Sequence, residues 1–278
     1  MTETTVAAVA EAAKTKTAYL RSHPLGYLIL SAMAGIYVGF GIVLIFAIGA
    51  PFLATNSPAA KIAMGASFGI ALSLVIMAGS ELFTGNNMVM TIGMMRRTAS
   101  PAALLAIWVV SFIGNLLGSL ALAWLVAKSG VFASAPHLAV IEKTVATKMN
   151  LPFGALFFRA VLCNWLVCLA VWCATRATSE AGKLIMVFWC LFAFIGSGFE
   201  HSVANMTLLG IGLFQPHSAA VSVAGFVHNM VPVTLGNIVG GGLFVGGAYW
   251  LANQKLSLSP SRVPADGPSM LPEGAAGD

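Results

Sequence analysis

Two stretches decide how this chain folds: Gly79–Met88, GSELFTGNNM, and Gly198–Met206, GFEHSVANM. Each interrupts a long apolar run with Gly, Glu and Asn, and each carries a Glu ahead of an Asn-Met pair, so Glu81 matches Glu200 and Asn87-Met88 matches Asn205-Met206. Outward from them, two more pairs keep the same order. HPLGY, with Pro24 and Gly26, is answered by LPFGA, with Pro152 and Gly154; GNLLG, 114–118, is answered by GNIVG, 236–240. Glycine is frequent here, and small-xxx-small spacing is a general helix-packing device, so a single pair means little. Three pairs in one order, all about 120 residues apart, define an internal repeat.

Composition fixes the solvent. Of the 278 residues, 58% are hydrophobic and 8% charged, against roughly 25% charged in a soluble domain. Apolar runs at 26–53, 60–95, 102–126, 151–175, 184–214 and 224–251 are each long enough for the ~20 residues that cross hydrocarbon. The chain therefore reads as an all-α integral membrane protein with six transmembrane helices. A net charge of +5 then reports orientation in the lipid bilayer rather than nucleic-acid binding. The expected divisions are an N-terminal surface helix over 1–23, the six-span domain over 24–252 and a disordered tail over 253–278, rich in Pro, Ser, Gly and Asp. Cys163, Cys168, Cys173 and Cys190 all fall in apolar runs without zinc or disulfide spacing, so no metal and no cofactor is expected.

Three spans per half give the halves opposite topology, so the plan is a 3+3 inverted repeat, as in many transporters. With both termini cytoplasmic, Lys14, Lys16, Arg21, Arg96, Arg97, Arg176, Lys183, Lys255 and Arg262 lie inside, and Lys61, Lys128, Lys143 and Lys148 outside. Nine against four satisfies the positive-inside rule. Arg159, early in the fourth span, can snorkel and is left uncounted.

The second and fifth spans are too long and too interrupted for one helix each. Unpaired backbone groups in hydrocarbon cost several kcal/mol apiece, so paired breaks point to one site at the repeat interface near the midplane. Glu81 and Glu200 are expected to support the breaks by accepting hydrogen bonds from backbone N–H groups or Asn side chains. His201 is expected to line the path, since an imidazole can hydrogen-bond an anion or exchange a proton with it. Thr84, Asn164 and Asn205 are the neutral donors assigned to the same path, although Asn164 serves equally as an interhelical hydrogen bond. No Lys or Arg falls near the midplane, which suits a small monovalent anion bound by helix N-termini and neutral donors.

GSELFTGNN, CNWLVCLAVW, SGFEHSVANM and VTLGNIVGGG resemble the signature segments of the formate/nitrite transporter family over roughly 24–250. HPLGYLILSAMAGIYVGFGIVLIFAIG and CNWLVCLAVW are similar to its nitrite branch rather than its formate branch. The resemblance implies an aquaporin-like protomer with its own pore, a homopentamer and the bacterial inner membrane. It also implies two apolar constrictions, Phe68 and Leu72 toward the cytoplasm and Phe83, Val167 and Phe194 toward the periplasm, with Lys148 drawing anions to the outer mouth. Composition alone would assign these apolar residues to packing and Lys148 to a solvated loop.

The expected activity is passage of a small weak-acid anion, with nitrite ahead of formate and a neutral-solute channel as the remaining alternative; no enzymatic activity is expected. In one version His201 lends the anion a proton, since the neutral acid crosses an apolar ring at far lower desolvation cost. In the other His201 stays neutral and oriented helix ends carry the ion. A haem or quinone protein would need facing histidines, and only His201 and His228 offer themselves.

Overall fold

In hydrocarbon a chain must satisfy its own backbone, so spans are helical unless a break is buried in protein. The computed structural model describes residues 2–254, and every regular element among them is helical. The first repeat comprises α1 (Glu3–Ser22), α2 (Pro24–Ala54), α3 (Ala59–Ser67), α4 (Ile70–Met77), α5 (Phe83–Met95) and α6 (Pro101–Ser129). The second comprises α7 (His137–Met149), α8 (Phe153–Arg176), α9 (Glu180–Ser197), α10 (Ser202–Phe214) and α11 (Val223–Ile238), which runs on through a π-helical segment, Val239–Gly247, into α12 (Ala248–Ala252). Six stretches are long and apolar enough to cross a membrane: Pro24–Ala54, Ala59–Met77, Pro101–Ser129, Phe153–Arg176, Glu180–Ser197 and Val223–Ala252. The Thr2 hydroxyl donates to the Asn253 side chain at 2.9 Å, so both described ends lie on one face, as an even span count requires.

Local sequence sets the helix ends. Pro24 and Pro101 open α2 and α6, where a missing N–H costs nothing. The hydroxyls of Ser100, Ser179 and Ser222 cap α6, α9 and α11 by accepting the N–H three residues on. Two expectations at the periphery change. The helix over 1–23 is more than a surface element, because Val6, Val9, Ala10 and Ala13 bury one face of α1 against α5. The connection after the third span holds a 13-residue helix, α7, in the position that α1 occupies at the head of the first repeat. The tail lies, from residue 255 on, outside the described residues.

Glycines bring the spans into backbone contact. In α6, a Cβ on Gly114 would strike Ser31 and one on Gly118 the Ala32 carbonyl of α2. The second repeat does the same, with Gly236 against the Phe157 carbonyl and Gly240 against the Val161 carbonyl of α8. Each GNxxG segment is thus a small-xxx-small contact between the third and first spans of its repeat.

The asparagine inside each segment closes a break. After α4, Gly79 turns at φ 74°, and an extended stretch leads to α5; after α9, Gly198 turns at φ 75° and another leads to α10. Asn115 Oδ1 accepts the Phe83 N–H (2.9 Å), while its Nδ2 donates to the Ser31 and Glu81 carbonyls (2.7 and 2.9 Å). Asn237 Oδ1 accepts the Ser202 N–H (2.9 Å), while its Nδ2 donates to the Ala160 and Glu200 carbonyls (2.9 and 3.1 Å). The Glu81 N–H reaches the Leu30 carbonyl at 3.2 Å, and the Glu200 N–H reaches the Arg159 carbonyl at 3.3 Å. Both breaks are therefore bonded to the first and third spans of their own repeat.

Two outcomes follow. Asn237→Leu strands one N–H and two carbonyls in a buried site, a loss of about 3 kcal/mol or more, which thermal unfolding of the detergent-solubilised protein will show as a marked fall in Tm. Gly118→Val forces α6 off α2 and lowers Tm likewise, whereas Gly196→Ala, with nothing within 4 Å of the added methyl, leaves it unchanged or slightly raised.

Candidate functional site

The two breaks meet. Leu82 precedes α5 and His201 precedes α10, and both line a small central chamber of about 10 Å³ with Val38, Phe68, Ala71, Leu72, Val167, Leu191 and Phe194. The N-terminal ends of α5 and α10 thus face one chamber, each contributing roughly half a positive charge. Above and below lie two larger cavities. The α7-side vestibule, about 410 Å³, ends on Phe194 and His201; the α1-side vestibule, about 440 Å³, ends on Leu72 and Leu82. α2 and α8 run the length of this path, presenting Leu30, Val38 and Ile42 along one and Val171, Val167 and Arg159 along the other.

His201 is held by both nitrogens. Its Nδ1 accepts the Ala204 N–H at 3.1 Å and so caps α10, and its Nε2 lies 3.1 Å from Thr84 Oγ1 of the other repeat. An Nδ1 that accepts carries no proton, so we assign the neutral ring with its proton on Nε2, donated to Thr84. The Thr84 hydroxyl hydrogen is then free to point elsewhere. The Phe194 ring stacks on His201, 5.9 Å between centroids, and Phe68 meets Phe194 edge-on at 5.4 Å.

Each glutamate sits in a matched shell. Glu81 accepts from Lys16 Nζ (2.6 and 2.7 Å), from the Tyr27 hydroxyl (2.7 Å) and from Asn86 Nδ2 (3.2 Å). Glu200, 2% exposed, accepts from Lys148 Nζ (2.7 Å) and Asn205 Nδ2 (2.6 Å), and Asn229 ties Asn205 to the Lys148 carbonyl. Lys16 on α1 and Lys148 on α7 are thus counterparts, and the repeat extends one helix beyond what the sequence pairs suggest.

Several expected residues take different places. The counterpart of Asn205 is Asn86, which bonds Glu81, rather than Asn87. Phe83 turns its ring to Phe112 at 5.3 Å and does not line the chamber; Leu82 does. Phe68, expected opposite Phe194, closes the same ring with it on the α7 side, leaving Leu72 and Leu82 to close the α1 side. Val167 lines the chamber between them. Asn164 is a brace: its Nδ2 lies 3.1 Å from the Thr84 carbonyl, 3.0 Å from Asn87 Oδ1 and 2.6 Å from the Asn237 carbonyl, joining α5 to the residue of α11 that closes the second break. Gly241 leaves room for that amide, since a Cβ there would lie 2.5 Å from Nδ2. Asn205 lines the α7-side vestibule while holding Glu200. Sequence reasoning missed Lys16, Leu82, Asn115 and Asn237, although the shared Asn of the two GNxxG segments was a visible signal for the last two.

Comparison with known proteins agrees with this geometry. The family model described as formate/nitrite transporter matches residues 3–251. The nitrite transporter NirC of Salmonella typhimurium is 45% identical over 255 residues, covering 92% of this chain and 91% of the relative. NirC of Escherichia coli is 46% identical over 234 residues, covering 84% and 86%. Among solved structures, one described as an FNT family ion channel superposes with a TM-score of 0.86 at 43% identity, covering 90% of this chain and 99% of that one. A pentameric formate channel with formate bound gives 0.71 at 30%, covering 82% and 96%. The inverted repeat, the paired breaks and these matches together place the chain in the formate/nitrite transporter family.

Proposed function

We propose that this protein passes nitrite across the bacterial inner membrane, both termini cytoplasmic, as a homopentamer in which each protomer holds its own path. The identity to nitrite transporters, 45–46%, supports nitrite over formate, and the pentameric relative supports the assembly. One observation carries the reading. Two half-helix N-termini converge on a chamber lined by His201, whose Nε2 bonds the buried Thr84 hydroxyl, with no full charge among the lining residues, the arrangement that stabilises a small anion without trapping it.

The Nδ1 cap supports one of the two ways of using His201. Protonating Nδ1 would cost Ala204 its acceptor, and releasing the Nε2 proton from a neutral ring would leave an imidazolate. His201 therefore acts as a fixed hydrogen-bond donor through Nε2 and Thr84, and any proton that neutralises nitrite comes from vestibule water. The apolar rings, Phe68 with Phe194 on one side and Leu72 with Leu82 on the other, make the ion shed its water at the points where these dipoles are strongest.

In proteoliposomes His201→Asn is expected to lower nitrite flux about tenfold or more while leaving the shape of its pH profile unchanged; a flattened profile would instead make the ring the proton source. Lys148→Met leaves Glu200 without its counter-ion, an expected loss of about 3 kcal/mol, and Lys148→Met with Glu200→Gln recovers most of it. Tm values for the two variants check this, and an unaltered Tm for the single variant would remove the pair from the fold's support.

A further inference from the structure

The two vestibules are unequal in charge. The α1-side vestibule is lined by Lys16 and Glu81, which pair and cancel. The α7-side vestibule is lined by Lys143, Lys148 and Arg159 against Glu200 alone. Lys148 is spent on Glu200 at 2.7 Å. Among the described residues, Lys143 and Arg159 have no hydrogen bond or ion pair to their side chains, so this mouth carries two uncommitted cations.

Arg159 is the better placed of the two. Its carbonyl accepts the Glu200 N–H, so its main chain is fastened to the break one residue from His201, whereas Lys143 rides on α7 at the rim. The chemistry differs as well. A guanidinium is a planar, weakly hydrated fork whose parallel N–H groups match two oxygens on one atom; an ammonium is a strongly hydrated point charge. No described residue occupies that fork.

We propose that Arg159 is a docking and specificity residue of the α7-side vestibule, where its guanidinium takes a planar two-oxygen monoanion in bidentate fashion before the ion reaches Phe194 and His201. This rests on the transport reading above. It assigns the first discrimination between nitrite or formate and a spherical halide to the vestibule rather than to the chamber. Being exposed, the side chain can be replaced without opening the core.

The test is bilayer recording with nitrite, formate and chloride supplied from the α7 side, for wild type, Arg159→Gln and Arg159→Lys, each first shown to elute as the wild-type assembly. Arg159→Gln should raise the half-saturating nitrite and formate concentrations about three- to fivefold, as loss of one exposed charged contact does, with saturating current unchanged and chloride affected least. Arg159→Lys should restore chloride to wild-type behaviour and leave nitrite and formate weakened. Unchanged nitrite saturation in Arg159→Gln would overturn the proposal and assign the guanidinium to lipid headgroups. Full recovery of all three anions by Arg159→Lys would overturn the bidentate fork. A wild type that conducts no nitrite would overturn the transport reading itself, a separate outcome.

Discussion

Everything at the centre of this protein depends on two side-chain amides. Helices cross hydrocarbon because they leave no backbone group unpaired; the second and fifth spans stop being helical where pairing is hardest to replace. Asn115 and Asn237 replace it, each accepting one N–H and donating twice, at distances of 2.7–3.1 Å. The glycines around them let α6 and α11 approach α2 and α8 closely enough for that reach. Without this bonding the helix ends would not be held facing each other.

On that frame the repeat is symmetric in support and asymmetric in chemistry. Both breaks have a glutamate, a lysine from the helix that opens the repeat and an asparagine five residues on. At the tip, however, one repeat offers Leu82 and the other His201. The imidazole finds its partner, Thr84, in the opposite repeat. Neither half alone makes the donor pair, which explains why the halves must pack so tightly.

The architecture was largely legible in the sequence, because span length, charge bias and the three segment pairs are one-dimensional signals. Glu81 and Glu200 could be read as supports, because a carboxylate beside a break has few other uses. The apolar wall was not legible: Phe68, Leu72, Leu82 and Phe83 differ only in which way each faces, and the gap between α3 and α4 and the turn into α5 decide that. The Asn86 register was obscured by a second asparagine beside it. The Lys16 pairing escaped notice because 65 residues separate it from Glu81.

The size of the chamber has a consequence for the membrane's energy supply. At about 10 Å³ it holds one water molecule at most, with Phe68, Leu72 and Phe194 offering that water no hydrogen bonds. In this conformation, therefore, the water columns of the two vestibules are not joined into one wire through the chamber. A gap of this kind in the water file is what would let a membrane hold many copies of the pore without short-circuiting its proton gradient.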